Sequence, residues 1–315
     1  MASVSSDWQS RDRTIRLWSR ASTSCTATLT GCDEVPLCLS LRGGLLLSGE
    51  NTHRKVAKAR LWSIGCGSGG DEDGKSSAQA AETDTTSGDG GTPSSPRVLF
   101  VYAEHTEPIW SVSLGADYAL SASHDTSARV WPILASEGGH TQAKTPSFSV
   151  LEHPEPVESV SVEGALVATG CGDGKVRIWS LVSFTTLRTL EHEKPEPVEG
   201  AESSVAPVAN GKPRAASSVF CVRLLGGVCI SRGLSDNQVK VWSLACAEEQ
   251  QGECVAVLRH SLANVRCIAV SPSGFIASVG SNRSSRRLVV WKPHQLGSLR
   301  SITAGTACSI DLKPS

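Results

Sequence analysis

The sequence predicts an all-β fold built from repeated antiparallel sheets, and three observations carry that prediction. Residues 118–120 and 128–131 are short apolar runs flanking a polar turn, which is typical of two adjacent antiparallel strands. A strand of this kind that ends in tryptophan recurs six times along the chain, at Trp18, Trp62, Trp131, Trp179, Trp242 and Trp291. Successive tryptophans are 44, 69, 48, 63 and 49 residues apart, and each of the two long gaps contains a low-complexity insert. Since one hairpin alone is barely stable, these units must pack together.

A period of about 40–45 residues that ends in Trp, with a His before it and an Asp inside it, resembles the WD40 repeat. The resemblance covers nearly the whole chain. It implies a single β-propeller domain over residues 1–315, with six four-stranded blades, or seven if the sequence is a fragment.

Length and composition agree with one large domain. The 315 residues are enough for one ring, and a formal charge of −1 gives no global electrostatic case for nucleic acid or an anionic membrane. No apolar run approaches the length of a membrane span, so a soluble protein of the cytoplasm or nucleus is the default expectation. Eleven cysteines are scattered without a CxxC pair, and Cys221 and Cys229 lie in apolar runs. We therefore expect most thiols to act as small apolar side chains, with no metal or cofactor.

The two ends of the chain each contain part of a repeat. Residues 2–5 resemble a second strand, and Asp12 precedes Trp18 by the same six residues that separate Asp125 from Trp131. Residues 308–312 resemble a first strand. The resemblance therefore implies that the termini complete one blade, with pairing of the N- and C-terminal strands closing the ring.

The second repeat is degenerate and is followed by a long insert. Cys32 stands where the family usually has His, and no Asp lies six residues before Trp62. Residues 65–97 are mostly Gly, Ser, Thr and acidic residues, which predicts a disordered acidic loop. Thr92 and Ser95 precede prolines and could accept phosphate from proline-directed kinases, although such dipeptides are frequent in linkers by chance.

The third and fourth repeats are the best formed. The resemblance implies a buried hydrogen-bond relay of four side chains in each: His105, Ser121, Asp125 and Trp131 in the third, and His153, Thr169, Asp173 and Trp179 in the fourth. Such side chains satisfy one another's polar groups, so they are predicted to be structural. A His, a Ser and an Asp also invite a hydrolase interpretation. The repetition of the set and the lack of a nucleophile-elbow sequence argue against it.

The last two repeats match less well. Residues 193–217, rich in Glu, Pro, Ala and Ser, predict a second loop insert. The fifth repeat offers His192, Ser231, Asp236 and Trp242, with one extra residue before the Asp. The sixth keeps His260, Ser278 and Trp291, but Ser285 stands in the Asp position, within a basic turn.

The resemblance also implies where a partner would bind, because propellers of this family use the face ringed by the loops before each first strand. Alignment on the repeat places six residues at equivalent positions near the start of that strand: Leu37, Trp110, Glu158, Phe220, Arg266 and Cys308. A core position would hold similar apolar residues, so this variety indicates an exposed surface. Trp, Arg and Phe often carry interface energy. The alternative is that Trp110 and Phe220 only pack against neighbouring loops.

The predicted function is a non-enzymatic protein–protein interaction scaffold, working in a multisubunit complex. One alternative is a substrate-recognition subunit of a ubiquitin ligase, because residues 41–49 look like those of F-box/WD proteins and Arg266 lies where such receptors read phosphate. Another is an RNA-associated protein that uses Arg283, Arg286 and Arg287. No metal-ligand cluster, phosphate loop or paired carboxylates support an enzyme.

Overall fold

The structure is a computed structural model, and it describes residues 2–4, 12–19, 21–51, 56–64, 96–133, 149–192, 218–234, 238–244, 253–259, 264–271, 273–281, 286–291 and 308–312. The predicted insert at 193–217 lies outside these residues. So does the predicted insert at 65–97, apart from Pro96 and Arg97, and Arg97 already begins a strand.

Six antiparallel sheets make up the described part of the chain, in which no helix occurs. Sheet 1 has three strands, β1 (Ala2–Val4), β2 (Ile15–Trp18) and β3 (Cys25–Leu29). Sheet 2 consists of β4 (Pro36–Arg42), β5 (Leu45–Glu50), β6 (Ala57–Ser63) and β7 (Arg97–His105). Sheet 3 consists of β8 (Ile109–Leu114), β9 (Tyr118–Ser123), β10 (Ser127–Pro132) and β11 (Ser149–Glu152).

The other three sheets repeat this four-stranded order. Sheet 4 consists of β12 (Val157–Glu163), β13 (Leu166–Cys171), β14 (Lys175–Ser180) and β15 (Thr186–Glu191). Sheet 5 consists of β16 (Val219–Leu225), β17 (Val228–Gly233), β18 (Gln238–Ser243) and β19 (Glu253–Arg259). Sheet 6 consists of β20 (Asn264–Val270), β21 (Ile276–Ser281), β22 (Arg286–Trp291) and β23 (Cys308–Leu312). In sheets 2 to 6 the predicted tryptophan strand is the third strand.

The strand β23 corrects one prediction. Cys308–Leu312 was expected to be the first strand of the blade that contains β1, but it pairs with β22, where Cys308 lies opposite Val290 and Leu312 opposite Arg286. It is therefore the fourth strand of sheet 6. Alternation of Cys308, Ile310 and Leu312 fits any strand with one apolar face, so the pattern could not distinguish a first strand from a fourth.

The hydrophobic core lies between consecutive sheets. Within the described residues, five apolar clusters each combine side chains of one sheet with those of the next. For example, Leu120 and Val130 of sheet 3 share a cluster with Val157, Val160 and Trp179 of sheet 4. Each inner sheet is thus buried on both faces, and its second strand is buried almost throughout.

Serine side chains also connect the sheets through their first strands. A first strand is the edge of its own sheet, so the N–H groups on its outer side need acceptors from elsewhere. Ser111 and Ser113 of β8 accept from the N–H groups of Val160 and Val162 on β12, at 3.1 and 3.2 Å. The same contacts run from sheet 4 to sheet 5, where Ser159 and Ser161 accept from Val222 and Leu224 at 2.9 and 3.0 Å.

A glycine in the second strand permits this close approach in sheet 4. Gly170 pairs with Ser159, and a Cβ added to Gly170 would lie 2.7 Å from the carbonyl oxygen of Val219. In sheet 5 the equivalent residue is Arg232, which pairs with Cys221. The boundary between sheets 5 and 6 therefore differs in composition from the one before it.

Candidate partner-binding face

Five of the six predicted partner-binding residues share one backbone feature, because each is the extra residue of a β-bulge in a first strand. The register shifts by one residue at each of these positions: Leu37, Trp110, Glu158, Phe220 and Arg266. A bulge bends its strand and redirects the extra side chain out of the regular alternation. The sequence alignment therefore identified a real structural equivalence, although it gave no indication of the bulge.

The bulges lie at one edge of the sheets, beside the loops that precede the first strands. Backbone bonds connect these loops to the turns between second and third strands: His124 N–H to Pro108 O at 3.2 Å, Gly172 to Pro156 at 2.8 Å and Leu234 to Ser218 at 2.9 Å. We call this edge the bulge face. The opposite edge carries the turns between first and second strands, as the bond from Leu181 to Ala165 at 2.8 Å shows.

Trp110 is the most prominent side chain of the bulge face. It is 40% exposed, and its ring lies 5.0 Å from that of His124, at an interplanar angle of 33°. Nε2 of His124 lies 3.2 Å from the buried Glu158 carboxylate, the bulge residue of the next sheet. Indole, imidazole and carboxylate thus form one continuous group across the boundary between sheets 3 and 4. The prediction that this position is exposed is confirmed for Trp110, whereas Glu158 is buried.

The other predicted residues differ in their surroundings. Leu37 and Phe220 are half-buried, and the guanidinium of Arg232 lies 5.5 Å from the centre of the Phe220 ring, in cation–π contact. The side chain of Arg266 lies outside the described residues. Cys308 begins a fourth strand, so it is not equivalent to the other five.

The predicted relay is present in sheet 3. His105 lies at the end of β7, so the relay also connects sheet 2 to sheet 3. Its Nδ1 is 2.7 Å from Asp125, its Nε2 is 2.8 Å from the Ser121 hydroxyl, and the Trp131 indole N–H donates to that hydroxyl at 2.8 Å. Burial lowers the pKa of His105, so the ring is neutral and donates from Nδ1 to the carboxylate. Burial alone would raise the pKa of Asp125, but the hydrogen bonds from His105 and Ser127 outweigh it and bring it to about 2.

The relay of sheet 4 differs from the prediction in one connection. The Trp179 indole donates to Thr169 at 2.9 Å, and Nε2 of His153 is 2.8 Å from the same hydroxyl. Nδ1 of His153, however, donates to the carbonyl oxygen of Leu151 at 2.8 Å. Asp173 instead accepts from Arg177, at 2.6 Å. The prediction that Asp173 belongs to the relay is therefore wrong, because its carboxylate pairs with Arg177, two residues before the tryptophan.

Among the described residues, sheet 5 keeps the contacts of histidine and tryptophan with the hydroxyl, and sheet 6 keeps the contact with tryptophan. In sheet 5, Ser231 lies 2.7 Å from both the His192 ring and the Trp242 indole nitrogen, while Asp236 lies outside the described residues. In sheet 6, Trp291 donates to Ser278 at 3.3 Å, while His260 and Ser285 also lie outside them.

Sheet 2 carries an ionic network that the sequence reasoning missed. Arg60 forms a salt bridge with the fully buried Glu50 and lies 2.9 Å from Asp33, which also pairs with Lys58. The signal was present, since Arg60 stands two residues before Trp62, where Arg129 and Arg177 stand in sheets 3 and 4.

The geometry of Ser121 argues against hydrolysis. Its side chain is fully buried, and its oxygen already accepts from Trp131 and donates to His105. A substrate could not reach that oxygen without opening the core. Across the described residues, no three His, Cys, Asp or Glu side chains come together as a metal site. The same part of the chain contains no helix long and apolar enough to cross a membrane.

Comparisons with known proteins bear on the fold. The family model described as "WD domain, G-beta repeat" matches residues 96–132, 144–180 and 252–292, each of which contains a third-strand tryptophan. A comparison with curated proteins found no match. Among solved structures, the chain is similar to the crystal structure of the computationally designed Ika8 protein, with a TM-score of 0.57 at 15% identity. The match covers 90% of this chain and 66% of that chain, just under two thirds of its length. At this identity, the similarity shows the fold alone.

Proposed function

The chain belongs to the WD40-repeat family, and from this premise we propose that it is a non-enzymatic scaffold that binds a peptide or protein partner on the bulge face. It would act within a multisubunit complex in the cytoplasm or nucleus. Eight free cysteines among the described residues fit a reducing compartment. We also propose that the six sheets are the blades of one propeller, since each packs against the next in chain order.

One observation carries the proposal: the same bulge recurs in five first strands, and a different residue type occupies it each time. Repetition of the backbone with variation of the side chain is expected when the scaffold is structural and the presented residues are selected for a ligand. A bulge that served only to twist its sheet would not need Leu, Trp, Glu, Phe and Arg in turn.

The chemistry around Trp110 indicates the kind of partner. Glu107 and Glu155 are exposed, each two residues before a first strand, and the Glu158 carboxylate lies below the surface beside His124. An exposed indole among carboxylates favours a partner segment that places an apolar group on the ring and basic groups beside it.

The two alternatives depend on side chains that the structure does not describe. The ubiquitin-ligase proposal needs Arg266 as a phosphate-binding group, and the RNA proposal needs Arg283, Arg286 and Arg287. Neither gains support from a contact among the described residues.

Capture from cell extract with matched variants tests the proposal. Trp110→Ala should lose bound proteins that wild type retains, while its melting temperature stays nearly unchanged, because Trp110 packs mainly on His124 at the surface. Phe275→Ala is the control, since Phe275 is also 40% exposed but lies between β20 and β21, at the opposite edge. Each protein that is lost from the Trp110→Ala capture is then purified and its affinity measured by calorimetry. It should bind Trp110→Ala about thirtyfold more weakly than wild type, which corresponds to the roughly 2 kcal/mol of a hot-spot residue. Identical captured sets for the two variants would contradict the proposal.

A further inference from the structure

The boundary between sheets 5 and 6 replaces serine by cysteine. The residue after the bulge is Ser111 in sheet 3 and Ser159 in sheet 4, and these serines bond to the next first strand, whereas sheet 2 has a single cysteine there, Cys38. In sheets 5 and 6 the same position holds Cys221 and Cys267. A thiol is a weak hydrogen-bonding group, so cysteine is a poor substitute for this connection.

The two thiols converge on a single backbone atom. The sulfur of Cys221 lies 3.9 Å from the carbonyl oxygen of Ile268, and the sulfur of Cys267 lies 3.7 Å from the same oxygen. This shared carbonyl oxygen places the two sulfurs near each other at the boundary between sheets 5 and 6. Both cysteines are free. Two neighbouring sheets therefore each place one thiol beside the same carbonyl oxygen.

The surroundings favour a reactive thiolate. The hydrogen bond from Cys267, helped by the charges of Arg223 and Arg232, outweighs burial and lowers the pKa of Cys221 to about 6. Burial instead raises the pKa of Cys229, which is fully buried. Cys267 is exposed, so solvent reaches the pair from its side. Cys221 itself is buried, so the pair combines a lowered pKa at Cys221 with solvent access at Cys267, and both properties favour oxidation of a thiol pair.

We propose that Cys221 and Cys267 form an oxidative modification site, at which hydrogen peroxide converts the two thiols into a disulfide that joins sheet 5 to sheet 6. The Cys221 thiolate attacks peroxide; a sulfur–oxygen bond forms, the oxygen–oxygen bond breaks, and hydroxide leaves. Cys267 then attacks the resulting sulfenic acid, the sulfur–oxygen bond breaks, and water leaves with the thiol proton. In sum, two thiols and one peroxide give one disulfide and two waters.

The site is placed to influence the bulge face. Phe220 and Arg266, two of the bulge residues, immediately precede the two cysteines. A bond between Cys221 and Cys267 would fix the spacing of these neighbours across the boundary. This consequence rests on the proposed function, whereas the modification itself does not.

Mass spectrometry of the peroxide-treated full chain tests the proposal. Trypsin cleaves after Arg223, Arg232 and Arg266, so Cys221, Cys229 and Cys267 fall in three separate peptides. After equimolar peroxide and alkylation of the remaining thiols, we expect the Cys221 and Cys267 peptides to be linked. The Cys229 peptide should be alkylated once the protein is denatured.

Two serine variants serve as test and control. Cys267→Ser should fold, because serine occupies this position in sheets 3 and 4, and it should lose the disulfide while a sulfenic-acid probe labels Cys221. Cys254→Ser removes another exposed cysteine, in sheet 5, and should leave the disulfide unchanged. The proposal is wrong if the treated wild type keeps Cys221 and Cys267 unlinked, or if either is linked equally to Cys229 or Cys254. Partner capture by the oxidised chain is a separate readout, and its failure would bear only on the bulge face.

Discussion

Sheets 3 and 4 carry the same polar residue pattern and build different networks from it. In both, a histidine from the preceding sheet bonds to a hydroxyl on the second strand, and the third-strand tryptophan donates to that hydroxyl. The two networks differ in the residue to which the aspartate bonds. Asp125 bonds to His105, while Asp173 bonds to Arg177.

A residue outside the four-member set decides the difference. Arg129 and Arg177 occupy the same place on the third strand, two residues before the tryptophan. Arg129 bonds to Glu104 on β7, which leaves Asp125 to the histidine. Arg177 instead forms an ion pair with Asp173, four residues before it. The four residue types alone therefore do not form the relay. The arginine two residues before the tryptophan must also bond to a residue other than the aspartate.

The largest expected effect comes from removing the two aspartates in turn. Asp125→Ala should lower the free energy of unfolding by about 3 kcal/mol, since the buried carboxylate accepts from His105, Ser127 and the Thr106 N–H. Asp173→Ala should cost less than about 1 kcal/mol, because its ion pair with Arg177 is partly exposed. Urea denaturation at pH 7 measures both. Equal losses would mean that the networks do not differ energetically.

A smaller effect is expected from acid. Burial lowers the pKa of His153 to about 4, below its ordinary value of 6.5. Between these two pH values His153 is protonated in the unfolded chain and neutral in the folded chain. The stability that depends on neutral His153 is fully present above pH 6.5 and is lost as the pH falls towards 4. From pH 7 to pH 5 this histidine alone should remove about 2 kcal/mol.

The variant His153→Gln isolates that contribution. Gln can bond to both Leu151 O and Thr169 but cannot take up the proton, so the difference between urea midpoints at pH 7 and pH 5 should shrink. His124→Gln, on the bulge face, is the matched control. An unchanged pH dependence in His153→Gln would show that the acid sensitivity arises at other groups.

Repetition made much of this fold predictable. The tryptophan strands and the equivalent first-strand positions follow from a period that six copies repeat, so an irregular copy can be aligned on the others. The four-stranded sheets and the relay around Asp125 were implied by the resemblance to the WD40 repeat. The exposure of Trp110 could be inferred because its equivalents vary in chemistry.

What escaped prediction depends on contacts between distant residues. No local pattern indicates that Arg177 will pair with Asp173 or that Glu50 will be buried against Arg60. Nor does one indicate that Cys221 and Cys267 will lie beside the same carbonyl oxygen at a sheet boundary. The bulges were missed because one extra residue in a strand only shifts the apolar alternation. Cys308–Leu312 was misplaced since a five-residue strand fits either edge of a sheet.

The smallest expected change in stability, from Arg177→Met, tests the cause of the difference directly. If Arg177 holds Asp173 away from His153, its removal frees the carboxylate to accept from Nδ1 of His153, as Asp125 does from His105. The pKa of His153, followed by NMR titration, should then rise well above about 4. The free energy of unfolding should change by less than about 1 kcal/mol, because one partly exposed pair is exchanged for another bond.

Loss of a positive charge would by itself raise the pKa of a nearby histidine, so the matched variant is Arg129→Met. It removes the equivalent charge beside His105 and leaves Asp125 bonded as before, since Arg129 pairs with Glu104. The rise for His153 in Arg177→Met should exceed the rise for His105 in Arg129→Met. If the two rises are equal, charge alone explains them, and Arg177 is not what separates the network of sheet 4 from that of sheet 3.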